Sequence, residues 1–290
     1  MRSVNSLVRS IVDNTIWMWY LILHRMMHRK YIVLGNKFVG LGNRLIAIAN
    51  CFVWSGADDI VLRWYLDKWV TESFDALFTI RGARNFTVVC KRRKFWSKVV
   101  IFPRMPVGNT EFWQFWSPPF YRKELPNGKL FCAYNDTPQW ARELYGAFFE
   151  NLEPSEKVRK RIRECNLGKD IVCVQFRQSI GRGGDTARVA NVDRIFSVMD
   201  GYCDDQCFFI SCMDRGISKM VHERFGDRII ELPNKDYLDM VDAVADMWLL
   251  GGGGKDLICQ YGSSFSEVAW WWRGCHANVV KVPCDYRQNE

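Results

Sequence analysis

The second half of the chain alternates short apolar runs with segments of helical period. The apolar runs lie at 171–177, 207–212, 228–232, 256–261 and 278–282, and the helical segments lie near 188–200, 216–225, 236–250 and 264–273. Strands separated by helices in this way are typical of a doubly wound parallel sheet. The pattern therefore predicts a Rossmann-like α/β lobe in the second half.

The first half shows the same alternation less regularly. A strand at 31–34, a glycine loop at 40–45, a helix at 45–54 and a strand at 60–65 make a first βα unit. Aromatic and basic residues interrupted by prolines fill 88–124, which predicts long loops over a cleft. Helices are predicted over 140–152 and 155–165. We place the boundary between two lobes near residue 155, so that the lobes are 1–155 and 156–290.

Composition and charge narrow the class of protein. The chain has 290 residues, of which 48% are hydrophobic and 25% charged, as in a folded soluble protein large enough for two α/β lobes. Its net charge of +8 favours a phosphorylated ligand, an anionic membrane or nucleic acid as a partner, and a solvated basic face without a partner is the alternative. The sequence lacks an arginine-rich helix, an RNP-type aromatic strand and zinc-finger spacing. We therefore expect no nucleic acid partner.

The cysteines and the amino terminus bear on the compartment. Eleven cysteines are scattered without the spacing of a disulfide scaffold, which predicts a reducing, cytoplasmic environment. The apolar run 16–23 is too short to span a bilayer, and basic residues follow it up to residue 30. The segment 16–30 fits a helix lying on a membrane surface as a peripheral contact, or a helix packed on the first lobe.

The first candidate site residues lie at the carboxyl end of the strand predicted over 171–177. Arg177 ends this strand, and a loop with three glycines, Arg182 and Asp185 follows it. Ligands sit at the carboxyl ends of strands in open α/β sheets. The Arg177 guanidinium, helped by Arg182, can fork onto two phosphate oxygens there. A surface arginine in a loop is the alternative that this stretch leaves open.

Two more loops are predicted at the same edge of the sheet. One contains Asp214, and the other places Ser263 and Ser264 at the start of a helix. Serine hydroxyls and backbone N–H groups at a helix start can hold a phosphate. Ser264 followed three residues later by Glu267 also has the pattern of a capping box, and the two interpretations are compatible.

Asp246 lies on the apolar face of the helix predicted over 236–250. A carboxylate in such a position needs a partner, because a buried charge without one is costly. The N–H edge of a guanine base is one candidate partner. A salt bridge to a nearby lysine or arginine is the other.

Four segments share a further pattern: 40–45, 175–177, 209–214 and 246–269. In order and spacing they resemble the motifs of the GT-B fucosyltransferase superfamily, which contains the α1,2-, α1,6- and protein-O-fucosyltransferases. The resemblance runs from about residue 31 to residue 283. It implies a GT-B-like fold of two Rossmann-like lobes with a cleft between them, the first on the acceptor side and the second binding a nucleotide sugar.

The resemblance also implies roles for individual residues. Arg177 would hold the donor diphosphate and stabilise the leaving group, Asn43 would face the reaction centre, and Asp185 would act as the base. The donor-binding positions that it implies or that the loops predict are Gly40, Gly42, Arg44, Gln175, Arg182, Asp214, Asp246, Ser263 and Ser264. We expect no metal ion and no cofactor besides the donor, since the chain contains no Asp-x-Asp motif.

The sequence departs from the family pattern at three positions. Gln175 replaces a histidine, Gln178 replaces a second arginine, and Met213 replaces the first of two aspartates. The expected function is a metal-independent, inverting transfer of fucose from GDP-fucose to a glycan hydroxyl. The departures leave two alternatives: the same fold with another sugar nucleotide, such as UDP-xylose, and a catalytically inactive member that binds glycans or nucleotides.

Overall fold

The fold is that of a computed structural model. It describes residues 31–34, 40–55, 60–66, 70–81, 86–92, 134–165, 167–168, 170–177, 188–189, 191–260, 262–283 and 285–286. Arg182, Asp185 and the segment 16–30 lie outside the described residues, so their predicted roles stay predictions. None of the helices in the described ranges has the length and apolar character needed to cross a bilayer.

The first half contains a small parallel sheet. Its elements are β1 (Tyr31–Leu34), α1 (Leu41–Ser55), β2 (Ile60–Leu66), α2 (Phe74–Leu77), β3 (Phe78–Ile80) and β4 (Phe86–Arg92). Strands β1, β2 and β4 pair in parallel, in that order. Two predictions need correction here. Helix α1 begins at Leu41 and not at residue 45, because its buried stripe already starts with Leu41 and Leu45. The region predicted as loops from residue 88 begins inside strand β4.

A short helical segment connects the two halves. After a 3₁₀ turn at Tyr134–Asp136 come α3 (Gln139–Asn151), β5 (Leu152–Pro154) and α4 (Glu156–Glu164). Strand β5 pairs antiparallel with β3, and Ser155 caps α4 by accepting a hydrogen bond from the Val158 N–H. The predicted lobe boundary near residue 155 falls between β5 and α4, and it stays a prediction.

The second half forms the predicted parallel sheet. Its elements are β6 (Val172–Phe176), β7 (Arg188–Val189), α5 (Val192–Met199), β8 (Phe208–Cys212), α6 (Arg215–Phe225), β9 (Ile229–Ile230), α7 (Met240–Gly252), β10 (Asp256–Gln260), α8 (Ser264–Trp272), β11 (Asn278–Val282) and β12 (Asp285–Tyr286). Five strands pair in parallel in the order β11-β10-β6-β8-β9, which confirms an α/β fold with a parallel sheet.

Two helices of this half are shorter than predicted. The helix expected from residue 188 starts at Val192, because β7 pairs antiparallel with β12. The helix expected from residue 236 starts at Met240, where the Asp239 side chain accepts a hydrogen bond from the Val241 N–H. Each helix thus begins where a side chain can satisfy its first backbone donors.

Helix α8 lies in the middle of the core and packs against α7, α1 and α3. Its three consecutive tryptophans, Trp270, Trp271 and Trp272, are each no more than 4% exposed. The Trp271 ring stacks on Phe149 at 6.2 Å between ring centroids. The second half of α8, from Val268 to Trp272, is apolar on all sides, and such a segment belongs inside a core. These tryptophans therefore serve packing.

The edge strand β11 is covered by a side chain. The Asn135 side-chain oxygen accepts from the Val279 N–H at 3.0 Å, and its Nδ2 donates to the Val279 carbonyl at 3.2 Å. The same amide nitrogen donates to the Asn278 side-chain oxygen at 3.1 Å. One asparagine thus makes the pair of backbone hydrogen bonds that a neighbouring strand would make.

Candidate functional site

Arg177 is held by the turn that follows β10. Its Nη1 donates to the Gly262 carbonyl at 3.2 Å. The turn closes through a hydrogen bond from the Ser263 N–H to the Gln260 carbonyl at 3.2 Å, and Gly262 has φ 82°. This positive φ favours glycine, which adopts it without steric cost. The loops after β6 and β10 therefore meet at the carboxyl edge of the sheet.

Gln260 fixes the backbone of Arg177 from the other side. This buried residue ends β10, and its amide nitrogen is placed to donate to the Arg177 carbonyl at 3.2 Å. Its amide oxygen accepts from the N–H of Asn191, the N-cap residue of α5, at 3.1 Å. We did not single out Gln260 from the sequence. The usable signal was a polar residue at the end of an otherwise apolar buried strand.

The start of α8 is more enclosed than the sequence indicates. Ser263 is fully buried and caps the helix by accepting from the Ser266 N–H at 3.5 Å. The Tyr134 hydroxyl donates to the Ser263 carbonyl at 3.3 Å. The capping box predicted for Ser264 and Glu267 is therefore wrong, because the N-cap residue is Ser263 and the residue three positions later is Ser266. Ser264 itself is half-buried, so it is the more accessible member of the serine pair.

The start of α1 lies directly against the start of α8. A Cβ atom on Gly42 would lie 2.5 Å from the Ser264 carbonyl oxygen and 2.9 Å from the Phe265 backbone nitrogen. Only glycine allows this approach. Gly40 and the half-buried Asn43 belong to the same turn of chain. Two helix amino termini, each with the positive end of a helix dipole, thus lie side by side.

Two predicted donor-binding residues, Arg44 and Asp214, make contacts within the fold. Arg44 is 1% exposed, and its guanidinium lies 5.1 Å from the ring centroid of buried Trp64. Asp214 caps α6 by accepting from the Gly216 N–H at 2.7 Å and the Ile217 N–H at 3.1 Å. Burial and the nearby ring hold Arg44, and the capping bonds orient Asp214 Oδ1, while the donor-binding roles of both residues stay predictions.

Asp246 lies in a buried network behind the strand ends. It is 2% exposed, its Oδ2 is 2.6 Å from the Lys235 ammonium, and it accepts from the Ser211 hydroxyl at 3.0 Å. Lys235 also donates to the Cys212 carbonyl at 2.6 Å and lies 3.3 Å from Glu231. Of the two partners considered for Asp246, the structure contains the lysine.

This network holds one ammonium between two carboxylates. Burial raises the pKa of Asp246 to about 6, and the opposing effects of Lys235 and Ser211 do not offset it. Burial alone would lower the pKa of Lys235, but Asp246 and Glu231 outweigh it and raise that pKa. Lys235 therefore stays charged at neutral pH, while Asp246 takes up a proton near pH 6.

Gln175 lies beside this network. It is buried and faces Ser211 across the pair β6 and β8. Within the part of the chain that the structure describes, Gln175 Oε1 and Asp246 Oδ1 have no hydrogen-bond partner. Buried acceptors without partners are rare, and each calls for an explanation such as a ligand or water that donates to it.

The described ranges contain no group of three His, Cys, Asp or Glu side chains that could hold a metal ion, and the expectation of a metal-independent reaction stays a prediction. The predicted site residues within the described ranges thus fall into three sets. Arg177, Ser263, Ser264, Gly40, Gly42 and Asn43 lie at or next to the two helix starts. Gln175 and Asp246 belong to the buried network, and Arg44 and Asp214 have structural partners.

Comparison with known proteins supports the fold. No protein-family model and no curated protein sequence matches the chain. Among solved structures, NodZ α-1,6-fucosyltransferase co-crystallised with GDP matches with a TM-score of 0.50 and 16% identity, covering 83% of this chain and 92% of that one. POFUT1 in complex with GDP matches with a TM-score of 0.48 and 11% identity, covering 88% and 98%. The predicted likeness to GT-B fucosyltransferases is confirmed at the level of the fold.

Proposed function

We propose that this chain is a glycosyltransferase that moves fucose from GDP-fucose to a glycan hydroxyl, with inversion and without a metal ion. The observation that carries the proposal is the hydrogen bond from Arg177 to the turn that opens α8. It supports an anion site at the carboxyl edge of the sheet, where ligands sit in open α/β folds. The fold shared with a fucosyltransferase co-crystallised with GDP adds to this support.

The residues at this edge suit the departure of a nucleoside diphosphate. As the acceptor oxygen attacks the anomeric carbon, the bond from that carbon to the diphosphate breaks and the leaving oxygen gains negative charge. Arg177 and the amino termini of α1 and α8 would stabilise this charge. The side chains of Asn43 and Ser264 lie beside those termini. In this proposal, Asp185 takes the proton of the acceptor hydroxyl.

The buried network around Asp246 and Gln175 would bind the guanine base of the donor nucleotide. Asp246 Oδ1 and Gln175 Oε1 are buried acceptors, and the N–H edge of guanine offers donors to such atoms. Asp246 keeps Oδ1 for a base even while its Oδ2 pairs with Lys235. Two acceptors near Ser211 would therefore select a base with adjacent N–H groups.

The test measures GDP release from GDP-fucose, with and without glycan acceptors, for the wild type and for Arg177→Ala. Loss of an electrostatic donor costs about 100- to 1,000-fold in turnover. We expect a loss of that size with Arg177→Ala and a smaller one with Arg177→Lys. Arg224→Ala is the matched control, since Arg224 pairs with Asp200 on the exposed surface. Normal turnover in Arg177→Ala would contradict the proposal.

One observation favours a second candidate, the same reaction with another sugar nucleotide. Lys235 already occupies one oxygen of Asp246, so the carboxylate is less available to guanine. Thermal unfolding of the wild type with GDP or UDP separates the candidates, because a ligand that binds only the folded state raises the melting temperature. Stabilisation by UDP alone would favour the second candidate. Stabilisation by GDP without any donor turnover would instead indicate an inactive binding protein.

A further inference from the structure

A groove of about 560 Å³ lies at the amino edge of the large sheet, at the opposite ends of the strands from Arg177. The end of α4, the end of α7, the segment leading into β6 and the residue after α8 form its walls. Side chains on these walls include Arg163, Cys165, Leu167, Trp248 and Arg273. We call it the Arg273 groove. Its volume is in the range of small-molecule sites.

Arg273 is the unusual residue of this groove. Its guanidinium lies 4.5 Å from the ring centroid of Trp248, and its Nε is buried. Within the described ranges, this Nε has no hydrogen-bond partner. Burial lowers the pKa of Arg273, and no acidic group among the described residues opposes that effect. Arg273 is thus a partly buried cation without a described counter-ion.

Two neighbouring arginines have the carboxylate partner that Arg273 lacks among the described residues. Arg161 pairs with Asp242, and Arg163 pairs with Glu156 at 2.6 Å between nitrogen and oxygen. Taking a charge out of water is costly unless an opposite charge and hydrogen bonds replace the lost hydration. In the described part of the chain, Arg273 contacts the face of Trp248 and no carboxylate, which leaves the N–H donors in the plane of its guanidinium for another group.

The glycine at position 252 keeps space next to this guanidinium. A Cβ atom on Gly252 would lie 3.2 Å from Arg273 Nε and 3.5 Å from its Nη2. A side chain at this position would therefore crowd the edge of the guanidinium that carries the donors, and the glycine avoids this. Leu167 and Trp248 give the groove an apolar wall for the body of such a ligand.

We propose that the Arg273 groove binds a small organic oxyanion, whose carboxylate or phosphate group pairs with Arg273 while its apolar part lies against Trp248. A forked guanidinium suits both kinds of oxyanion. The groove is on the far edge of the sheet from Arg177, so the proposal is independent of the glycosyltransferase activity. A bound anion would act from a distance on that site or serve a separate role.

The first test follows the Nε–H resonances of arginine in the full chain by NMR during titration with sodium phosphate or sodium citrate. Sodium chloride at matched ionic strength is the control, and Arg273→Lys assigns the Arg273 signal. We expect the Arg273 signal to move and saturate at millimolar anion, and the Arg224 signal, which belongs to an ion pair with Asp200, to stay in place. Tighter phosphate than citrate binding would indicate a phosphate ester as the ligand, and the reverse a carboxylate.

The second test uses melting temperatures in an Arg177→Ala background, which disables the proposed donor site. Phosphate or citrate should still raise the melting temperature there, and adding Arg273→Met should abolish the rise. Gly252→Ala should weaken it without removing the cation. A signal unmoved by both anions, equal movement with chloride, or a rise that survives Arg273→Met would overturn the proposal, including the case in which another part of the chain fills the groove.

Discussion

Replacing Asp246 with asparagine removes a buried carboxyl whose protonation should depend on folding. In the folded chain, burial raises the pKa of Asp246 to about 6, and in the unfolded chain an aspartate has a pKa of about 3.9. Between these two values the folded state keeps a proton that the unfolded state has lost. The contribution of Asp246 to stability is therefore largest below about pH 4 and falls as the pH rises through 6.

The size of this effect follows from the difference of about two pKa units. Each unit corresponds to about 1.4 kcal/mol, so the full change is about 3 kcal/mol. Between about pH 4.5 and about pH 7.5, the unfolding free energy of the wild type relative to Asp246→Asn should fall by about 2 kcal/mol. Urea unfolding followed by tryptophan fluorescence measures this difference at each pH.

Asp242, one helical turn before Asp246, provides the control. Burial raises its pKa, but the hydrogen bonds from Arg161 and the Asp236 N–H outweigh this and lower it below the ordinary value. Its stabilising effect is therefore lost only as the pH falls below about 4. The difference in unfolding free energy between the wild type and Asp242→Asn should therefore change little between about pH 4.5 and about pH 7.5. A flat or rising difference for Asp246→Asn would refute the assignment of a raised pKa.

Two further predictions concern the proposed donor site. Gln260→Leu should lower donor turnover about tenfold, and this effect should vanish in an Arg177→Ala background if Gln260 acts through Arg177. The control is Gln206→Leu, which removes hydrogen bonds to two backbone carbonyls at the other edge of the sheet and should leave turnover unchanged. Additive losses of turnover in the variant that combines Gln260→Leu with Arg177→Ala would argue against coupling. Gly42→Ala should lower the melting temperature because its Cβ would meet backbone atoms of α8, whereas Gly40→Ala, with nothing within 4 Å, should not. Equal melting temperatures for both alanine variants would contradict the close approach.

The parallel sheet could be predicted because buried strands leave a strong record in the sequence. The run that became β6 is buried on both faces, as a central parallel strand must be, and is apolar except for Gln175; β8 is likewise buried and apolar except for Ser211. The rule for ligand positions in open sheets then located Arg177 without any contact information. Element ends were less predictable, since Leu41 begins α1 through packing with distant parts of the core.

The partners of individual side chains could not be predicted in the same way. Lys235 comes from a turn that looks like an ordinary surface segment, and only the fold brings its ammonium to Asp246. Gln260 has the same property, because its hydrogen bonds join the ends of two elements that are far apart in the sequence. Sequence patterns record burial and period, while these contacts depend on the register of β6, β8 and β10.

The hydrogen bonds of the Asn135 side chain bear on two processes, N-glycosylation and aggregation through an edge strand. Asn135 begins an Asn-Asp-Thr sequon, yet its Nδ2 is engaged with Val279 and Asn278. Attaching a sugar to that nitrogen would break these hydrogen bonds and expose the edge strand β11. The same amide occupies the Val279 N–H and carbonyl, through which the edge strand could pair with a strand of another molecule. The contacts of Asn135 therefore oppose both glycosylation at this residue and aggregation through this edge.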